Sequence, residues 1–112
     1  MEKTRIIIAD DHQLFRNGLK ILLNAFAEFE VIGEASNGEE FLKIIKTTPA
    51  DVALMDINMP EMDGIEATRR GIKICPDLNI IALSMYGEEE YYYKMVDAGA
   101  KGFLVKDSDI SE

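Results

Sequence analysis

The chain has 112 residues, of which 47% are hydrophobic and 29% are charged, a composition typical of one folded domain rather than of a disordered segment. Its formal net charge of −9, from 21 acidic and 12 basic residues, argues against a surface that grips a nucleic-acid phosphate backbone, because that affinity comes mostly from lysine and arginine. No apolar run approaches the ~20 residues that a membrane-spanning helix needs. The sequence has no recognisable signal peptide, and its single cysteine, Cys75, excludes an intramolecular disulfide. We therefore expect a cytoplasmic protein that does not contact a membrane.

Strands and helices are predicted to alternate along the chain. Short continuous apolar runs predict strands, whereas apolar residues three or four apart predict helices. In chain order the predicted elements are a strand at Ile6–Ala9, a helix from Gln13 to about Phe26, a strand at Val31–Ala35, a helix around Phe41–Ile45, a strand at Val52–Met55, a helix at about Ile65–Lys73, a strand at Ile80–Leu83, a helix at Glu88–Ala98 and a strand at Gly102–Val105. This alternation predicts a doubly wound α/β fold, in which helices cover both faces of a five-stranded parallel sheet.

The last four residues of the sequence have the pattern of a helix start. Asp109 is a candidate N-cap and Glu112 follows it three residues later, as in a capping box. Five strands with only four helices would leave part of one sheet face uncovered, and an exposed apolar patch often marks a missing partner. We therefore expect residues 1–112 to form one domain cut before its final helix, with the gap covered by the missing segment or by a neighbouring molecule.

Four of the five predicted strands end at a reactive or polar residue. The first ends at Asp10 and Asp11, the third at Asp56, the fourth at Ser84 and the fifth at Lys106. In open α/β sheets, ligands bind beyond the carboxyl ends of the strands, where the strand order reverses. With the order 2-1-3-4-5, the first and third strands are neighbours at that point. Three carboxylates, a hydroxyl and an ammonium group would then share one cleft.

A cluster of three carboxylates favours a bound cation, because the carboxylates otherwise repel one another. Mg²⁺ suits such a site, since it prefers oxygen ligands and commonly combines carboxylates with phosphate oxygens. Asp56 is the candidate nucleophile, because a carboxylate can form an acyl phosphate. Lys106 would add positive charge and Ser84 a neutral donor. Each residue alone has a simpler interpretation, such as Asp11 capping a helix, but these do not explain the joint placement at strand ends.

Four segments together resemble the receiver domains of two-component response regulators and cover essentially the whole chain. These segments are Ile6–His12, Leu54–Gly64, Ala82–Ser84 and Gly102–Lys106. The resemblance implies a flavodoxin-like fold with strand order 2-1-3-4-5. It also implies a signalling switch rather than an enzyme, one that assists its own phosphorylation and dephosphorylation.

The resemblance assigns the phosphoryl acceptor and the metal ligands. It implies that Asp56 accepts a phosphoryl group from a sensor histidine kinase. It further implies that Mg²⁺ is held by Asp11, Asp56 and the backbone carbonyl of Asn58, with Asp10 acting through water.

The resemblance also assigns a switch, in which Ser84 and Lys106 bind the phosphoryl group and an aromatic residue, Phe103, rotates inward behind Ser84. Phe103 lacks the hydroxyl of a tyrosine, so its role would depend on packing alone. Three segments resemble the branch that carries a LuxR-type helix-turn-helix output domain: Asp10–His12, Ser84–Tyr86 and Ala98–Lys106. We expect DNA to be bound only through such an output domain, which is absent from this sequence. A homodimer is expected on activation.

Alternative functions share parts of this pattern. A stand-alone receiver acting through protein–protein contacts would have the same site. A hydrolase of the haloacid-dehalogenase type also uses an aspartyl nucleophile and Mg²⁺, but its two acids stand two residues apart, whereas Asp10 and Asp11 are adjacent. An FMN-binding protein would need a glycine- and hydroxyl-rich loop after the first strand, and the two aspartates there would repel its phosphate.

Two further expectations concern single side chains. His12, at the start of the first helix, is expected to face solvent and to take no part in phosphotransfer. Within the run Tyr91–Tyr93, three consecutive residues of a helix point in different directions, so they cannot all be buried. We expect Tyr92 to pack inward and Tyr91 or Tyr93 to be exposed.

Overall fold

Strands and helices alternate in the computed structural model, which describes residues 2–85 and 90–106. The elements in chain order are β1 at Thr4–Ala9, α1 at Gln13–Asn24, β2 at Phe29–Ala35, α2 at Gly38–Thr47, β3 at Val52–Asp56, α3 at Gly64–Ile74, β4 at Asn79–Ser84, α4 at Glu90–Ala98 and β5 at Gly102–Val105. The predicted helix starts at Glu88 and Asp109, and Tyr86, lie outside the described residues. Within those residues, none of the helices has the length and apolarity needed to cross a lipid bilayer.

The five strands form one parallel sheet in the order β2-β1-β3-β4-β5. The predicted doubly wound fold and strand order are therefore confirmed. The order reverses between β1 and β3, where Ala9 pairs with Met55. Farther along the same edge, Asp56 pairs with Leu83, and Ser84 pairs with Val105. The carboxyl ends of β1, β3, β4 and β5 therefore lie side by side.

Two apolar clusters lie on opposite faces of the sheet, because successive residues of a strand point to opposite faces. One face carries Ile7, Ala53 and Met55 and packs against helical residues that include Phe41 and Met95. The other face carries four buried residues, Ile6, Ile8, Leu54 and Leu83, which pack against the half-buried Phe15, Leu19 and Leu23 of α1. The second face therefore depends on α1 for its helical cover within the described residues.

The predicted apolar face of α1 is only partly buried. Leu14 is 88% exposed and Leu22 is 58% exposed, and across from them Leu104 of β5 is 52% exposed. These three residues line a groove of about 460 Å³ whose floor includes Leu54 and Leu83. An uncovered strip of this sheet face was predicted, and in the described residues it lies beside β5.

The prediction that Tyr92 packs inward is wrong. The inward-facing stripe of α4 consists of the half-buried Tyr91 and the buried Met95 and Ala98, which lie at i, i+4 and i+7. Tyr92 is 40% exposed, and its ring centroid lies 4.9 Å from that of Phe103 in an edge-to-face contact. Tyr93 is 75% exposed, as one of the two predicted alternatives required.

Candidate functional site

Backbone hydrogen bonds extend the sheet slightly beyond the strand ends and fix the candidate residues at one edge. The N–H of Asp10 donates to the carbonyl of Ala35 at 2.9 Å, so the chain leaving β1 stays beside β2. The N–H of Lys106 donates to the carbonyl of Ser84 at 2.7 Å. Lys106 is thereby tied to the end of β4, and its side chain is aimed at the switch point between β1 and β3.

Four of the predicted site residues are almost completely buried. Asp10 is 0% exposed, Ser84 1%, Asp56 3% and Lys106 7%. Buried charges are costly unless they are paired, and buried hydroxyls are costly unless they are hydrogen-bonded. The placement of four such groups together is therefore difficult to explain by packing alone.

Lys106 is the centre of this cluster. Its ammonium nitrogen lies 2.9 Å from Oδ2 of Asp10 and 3.7 Å from Oδ2 of Asp56. It also lies 2.9 Å from Nδ1 of His12 and 4.7 Å from the ring centroid of Phe15. The side chain predicted to contact a phosphoryl group thus forms a buried ion pair with Asp10.

Three buried side-chain oxygens in the cluster have no hydrogen-bond partner among the residues that the structure describes. They are Oδ2 of Asp56, Oγ of Ser84 and Oδ2 of Asp10, the last of which forms the ion pair with Lys106. Unpaired buried polar atoms are rare in folded proteins and often mark a binding or catalytic site. These oxygens are therefore available to an incoming cation or to a group that can accept or donate a hydrogen bond.

Burial, which is the largest cause, and the neighbouring Asp10 carboxylate together raise the pKa of Asp56 to about 7. The Lys106 ammonium and a hydrogen bond from the backbone N–H of Asn58 oppose this rise in pKa, whereas Asp11 adds a smaller increase. The balance is unfavourable for the charged form of Asp56. A cation at the cluster would shift it towards the carboxylate.

The turn between β1 and α1 holds Asp11 at the rim of the cluster. The N-cap of α1 is His12, whose side chain makes no capping hydrogen bond, so the alternative that Asp11 caps this helix is wrong. The His12 backbone N–H donates instead to Oδ1 of Asp10 at 2.8 Å. One ligand atom from each of four residues, Asp10, Asp11, His12 and Asp56, lies within 4.8 Å of the others. The predicted acidic cluster is therefore present.

His12 is the residue of this cluster that the sequence prediction missed. Its side chain is 60% exposed, as expected for a residue at the start of a helix. However, its Nδ1 lies 3.3 Å from Oδ1 of Asp10 and 2.9 Å from Nζ of Lys106. The sequence signal that could have identified it was its position directly after the Asp10–Asp11 pair. The connection between β1 and α1 is short, so this turn stays close to the sheet edge.

Arg16 supports the same turn from α1. Its guanidinium donates one hydrogen bond to the backbone carbonyl of Asp10 and another to Oε1 of Glu34, at 3.0 Å. Lys20 lies 2.9 Å from Oε2 of Glu34, and its hydrogen bond, together with that of Arg16, lowers the pKa of the Glu34 carboxyl. The side chain of Arg16 is only 15% exposed. By bonding both to the Asp10 carbonyl and to Glu34 of β2, the Arg16 guanidinium holds the backbone at Asp10 against β2.

The loop after β3 brings backbone against Asp56. The Gly64 N–H donates to the carbonyl of Ile57 at 2.8 Å, and α3 begins at Gly64 with Asp63 as its N-cap. A Cβ atom on Gly64 would lie 2.0 Å from the carbonyl oxygen of Asp56. Glycine is therefore required where the loop closes over the strand end. Asn58 lies in this loop, and its predicted role as a carbonyl ligand stays a prediction.

The residues fit a hard divalent cation. The side chains of Asp10, Asp11 and Asp56 supply carboxylate oxygens, the ligand type that Mg²⁺ prefers. The buried Oδ2 of Asp56, which accepts no hydrogen bond from the described part of the chain, belongs to the same cluster. A hydroxyl and an ammonium group stand beside these carboxylates, so the cluster can also contact an anion such as a phosphoryl group.

The fold and the site place the chain among doubly wound α/β domains that have an acidic cluster at the switch point of the sheet. A family model described as the response regulator receiver domain matches residues 6–112. The chain belongs to this family, and the predicted resemblance is confirmed.

The relatives agree with this assignment. The transcriptional regulatory protein YhcZ of Bacillus subtilis is 44% identical over 108 residues, which are 96% of this chain and 50% of that protein. The transcriptional regulatory protein DegU of Brevibacillus brevis is 43% identical over 107 residues, 96% of this chain and 45% of that protein. A two-component response regulator of the LuxR family from Aurantimonas sp. SI85-9A1 superposes with a TM-score of 0.90 and 31% identity, covering 99% of this chain and 79% of that one. The chain spans about half the length of the curated relatives that it matches.

Proposed function

We propose that this receiver domain accepts a phosphoryl group onto Asp56 from a phosphohistidine of a sensor histidine kinase. The observation that carries the proposal is the environment of the Asp56 carboxylate. It is buried, one of its oxygens has no hydrogen-bond partner among the described residues, and an ammonium nitrogen lies 3.7 Å away. An oxygen of Asp56 would bond to phosphorus while the bond from phosphorus to the kinase nitrogen breaks, and the bonding pair would leave with that nitrogen.

Protein groups around Asp56 would neutralise the charge of the incoming phosphoryl oxygens. Lys106 would do so by electrostatic attraction, and Ser84 would donate a hydrogen bond from its Oγ. Both groups are already at the sheet edge and buried, so little rearrangement of the backbone is needed. Lys106 must exchange part of its ion pair with Asp10 for a contact with the phosphoryl group.

Mg²⁺ is the cofactor that this proposal requires. Asp11, Asp56 and the backbone carbonyl of Asn58 would hold the ion, with Asp10 acting through water. When bound, Mg²⁺ supplies positive charge that favours the ionised form of Asp56 and offsets the negative charge of the phosphoryl group. The same charge distribution would assist dephosphorylation by water, so the domain would promote both gain and loss of its phosphoryl group.

The response to phosphorylation is proposed to pass through Ser84 and Phe103. Movement of the Ser84 hydroxyl towards the phosphoryl group would leave space behind it that the ring of Phe103 could enter. Phe103 is half-buried and packs edge-to-face on Tyr92, so inward rotation would break that contact and change the exposed surface of α4 and β5. A phosphoryl group would stabilise the rotated state only through contacts that the resting state does not make.

The protein as a whole is proposed to be a cytoplasmic transcriptional regulator. Its relatives are described as transcriptional regulatory proteins and are about twice as long as this chain. Residues 1–112 would form the receiver domain, cut before its last helix, and DNA would be bound through an output domain beyond it. Activation would favour a homodimer, which would place two output domains on adjacent half-sites.

Intact mass spectrometry after incubation with acetyl phosphate tests the proposal. We expect one added phosphoryl group in the presence of Mg²⁺, little in EDTA, and none in Asp56→Asn. The matched control is Asp77→Asn, which makes the same change at an exposed carboxylate and should be labelled like the unchanged chain. Labelling of the folded Asp56→Asn variant to the same extent would show that another residue is the acceptor.

A further inference from the structure

His12 is the member of the cluster that the proposed reaction does not use. Its Nδ1 lies 2.9 Å from the ammonium nitrogen of Lys106. An ammonium group can only donate hydrogen bonds, so Nδ1 is the acceptor in its contact with Lys106. The lone pair of Nδ1 therefore points into the carboxylate cluster, in the orientation that a metal ligand requires.

The Lys106 ammonium marks the position of a cation in this cluster. It lies within 3.7 Å of Oδ2 of Asp56 and 2.9 Å of both Oδ2 of Asp10 and Nδ1 of His12. The Lys106 side chain has a flexible four-carbon stem, so it can leave this position when another cation enters. The buried Oδ2 of Asp56, which has no hydrogen-bond partner among the described residues, is a second indication that a ligand binds here.

The spacing of the ligand atoms suits a small divalent ion. Two ligands bound side by side at ~2.1 Å from an ion are about 3 Å apart. Nδ1 of His12 lies 3.3 Å from Oδ1 of Asp10 and 3.9 Å from Oδ1 of Asp11. The side chain of His12 is 60% exposed, so it can rotate by the small amount that closure around an ion needs.

We propose that His12 Nδ1 is a direct ligand of a divalent first-row transition ion held by Asp10, Asp11 and Asp56. This inference rests on the proposed function, because it concerns the same metal site. Mg²⁺ favours oxygen ligands, whereas Mn²⁺, Co²⁺ and Zn²⁺ also accept imidazole nitrogen. His12 therefore makes the site selective: it strengthens the binding of transition ions and contributes little to the binding of Mg²⁺.

Pulsed electron paramagnetic resonance of the Mn²⁺-loaded, tag-free chain tests the ligand directly. The sequence contains one histidine, so any coupling of Mn²⁺ to an imidazole nitrogen must come from His12. We expect this nitrogen coupling in the unchanged chain and its loss in His12→Ala. The substitution changes an exposed side chain, so the variant should keep its fold, which circular dichroism would check.

Calorimetric titrations with Co²⁺ and Mg²⁺ give a second, independent readout. We expect His12→Ala to weaken Co²⁺ binding by ~10- to 100-fold. Removal of a residue that only hydrogen-bonds to a metal ligand already causes a loss of this size. The fold-change in Mg²⁺ affinity should be about tenfold smaller than the fold-change in Co²⁺ affinity. Arg70→Ala, an exposed substitution remote from the cluster, is the control and should leave both affinities unchanged.

The outcomes separate this inference from the proposed function. If Mn²⁺ binds without nitrogen coupling, or if His12→Ala weakens Co²⁺ and Mg²⁺ binding equally, His12 is not a ligand, although Mg²⁺-dependent phosphorylation of Asp56 can still hold. If neither Mg²⁺ nor Mn²⁺ binds to the folded chain, both the inference and the metal requirement of the proposed function fail.

Discussion

The ammonium nitrogen of Lys106 lies 2.9 Å from Oδ2 of Asp10, and both residues are almost completely buried. Asp10 follows β1 and Lys106 follows β5, so this ion pair joins the switch point of the sheet to its edge strand. The attraction between Lys106 and Asp10 offsets the free-energy cost of burying the Asp10 carboxylate away from water. The resting domain therefore depends on Lys106 for stability as well as for its proposed contact with a phosphoryl group.

Replacing Lys106 by methionine should destabilise the chain strongly when no divalent ion is present. Removal of one partner of a buried ion pair costs ~3–5 kcal/mol, because the other charge is left uncompensated. Urea unfolding in EDTA, followed by circular dichroism, measures this loss. Lys101→Met is the matched control, since Lys101 is exposed, and should change the free energy of unfolding by less than ~0.5 kcal/mol.

Mg²⁺ should restore more stability to Lys106→Met than to the unchanged chain. In the variant no ammonium competes for the Asp10 carboxylate, so the ion binds more tightly and shifts unfolding further. An equal effect of Mg²⁺ on the two proteins would indicate that Lys106 and the metal do not share this carboxylate.

Asp56 should make the stability of the metal-free chain depend on pH. Its folded pKa of about 7 is above the ordinary value of an unfolded aspartate, so between these values the folded state binds more protons than the unfolded state. Stability from this group is therefore greatest at acid pH and falls as the pH rises towards 7. The shift corresponds to an upper limit of ~4 kcal/mol.

Asp56→Asn removes this titration and should be more stable than the unchanged chain at pH 8 in EDTA. The advantage should shrink as the pH is lowered towards 4, because the carboxyl of Asp56 is then neutral in the folded state of the unchanged chain. Chemical unfolding at several pH values measures the difference, and Asp77→Asn should show no such growth with pH. A constant difference between Asp56→Asn and the unchanged chain would contradict the raised pKa.

The fold could be predicted from the sequence because its strands are continuous apolar runs and each of the first four is followed by helical periodicity. The meeting of Asp10, Asp56, Ser84 and Lys106 followed from the rule that ligand sites in such sheets lie at the carboxyl ends of strands. The rotation of individual side chains could not be predicted in this way. It depends on the turn geometry that brings His12 Nδ1 to Lys106.

The misplacement of Tyr92 has a similar cause. Three adjacent tyrosines have the same hydrophobicity, so the run alone does not indicate which one faces the core. The buried residues Met95 and Ala98 define the face of α4 that points to the core, and Tyr91 lies on that face. The contact between Tyr92 and Phe103 also depends on the strand next to the helix, which local periodicity does not describe.

Two glycines should respond in opposite directions to the same substitution. In Gly64→Ala, the new Cβ would lie 2.0 Å from the carbonyl oxygen of Asp56, so the strand end or the loop must move. We expect a loss of ~3 kcal/mol, the upper end of the cost of overpacking, and impaired phosphorylation because Asp56 is displaced.

Gly18→Ala is the matched control for that change. Gly18 lies within α1, and a Cβ there meets no atom of the described residues within 4 Å outside its own helix backbone and chain neighbours. Alanine is favoured over glycine within a helix by ~0.5–1 kcal/mol, so this variant should be more stable than the unchanged chain. Urea unfolding of both variants gives the comparison, and equal effects would show that Gly64 has no special packing role.

Ser84→Ala should raise the stability of the unphosphorylated chain while removing its response to phosphorylation. Oγ of Ser84 is buried and has no hydrogen-bond partner among the described residues, so its loss removes an unsatisfied polar atom that costs ~1–3 kcal/mol. The opposite sign is expected for Ser36→Ala, because Oγ of Ser36 donates to Oε1 of Glu40 at 2.9 Å. Urea unfolding of both variants distinguishes these cases.

The response itself can be followed through the ring resonances of Phe103 and Tyr92 by nuclear magnetic resonance. In the unchanged chain we expect phosphorylation to shift both, because inward rotation of Phe103 separates rings whose centroids are now 4.9 Å apart. In Ser84→Ala, Asp56 should still accept the phosphoryl group, as intact mass would verify, but the rings should keep their resting resonances. A full shift of both rings in the phosphorylated variant would show that the Ser84 hydroxyl is not the link between Asp56 and the surface of α4 and β5.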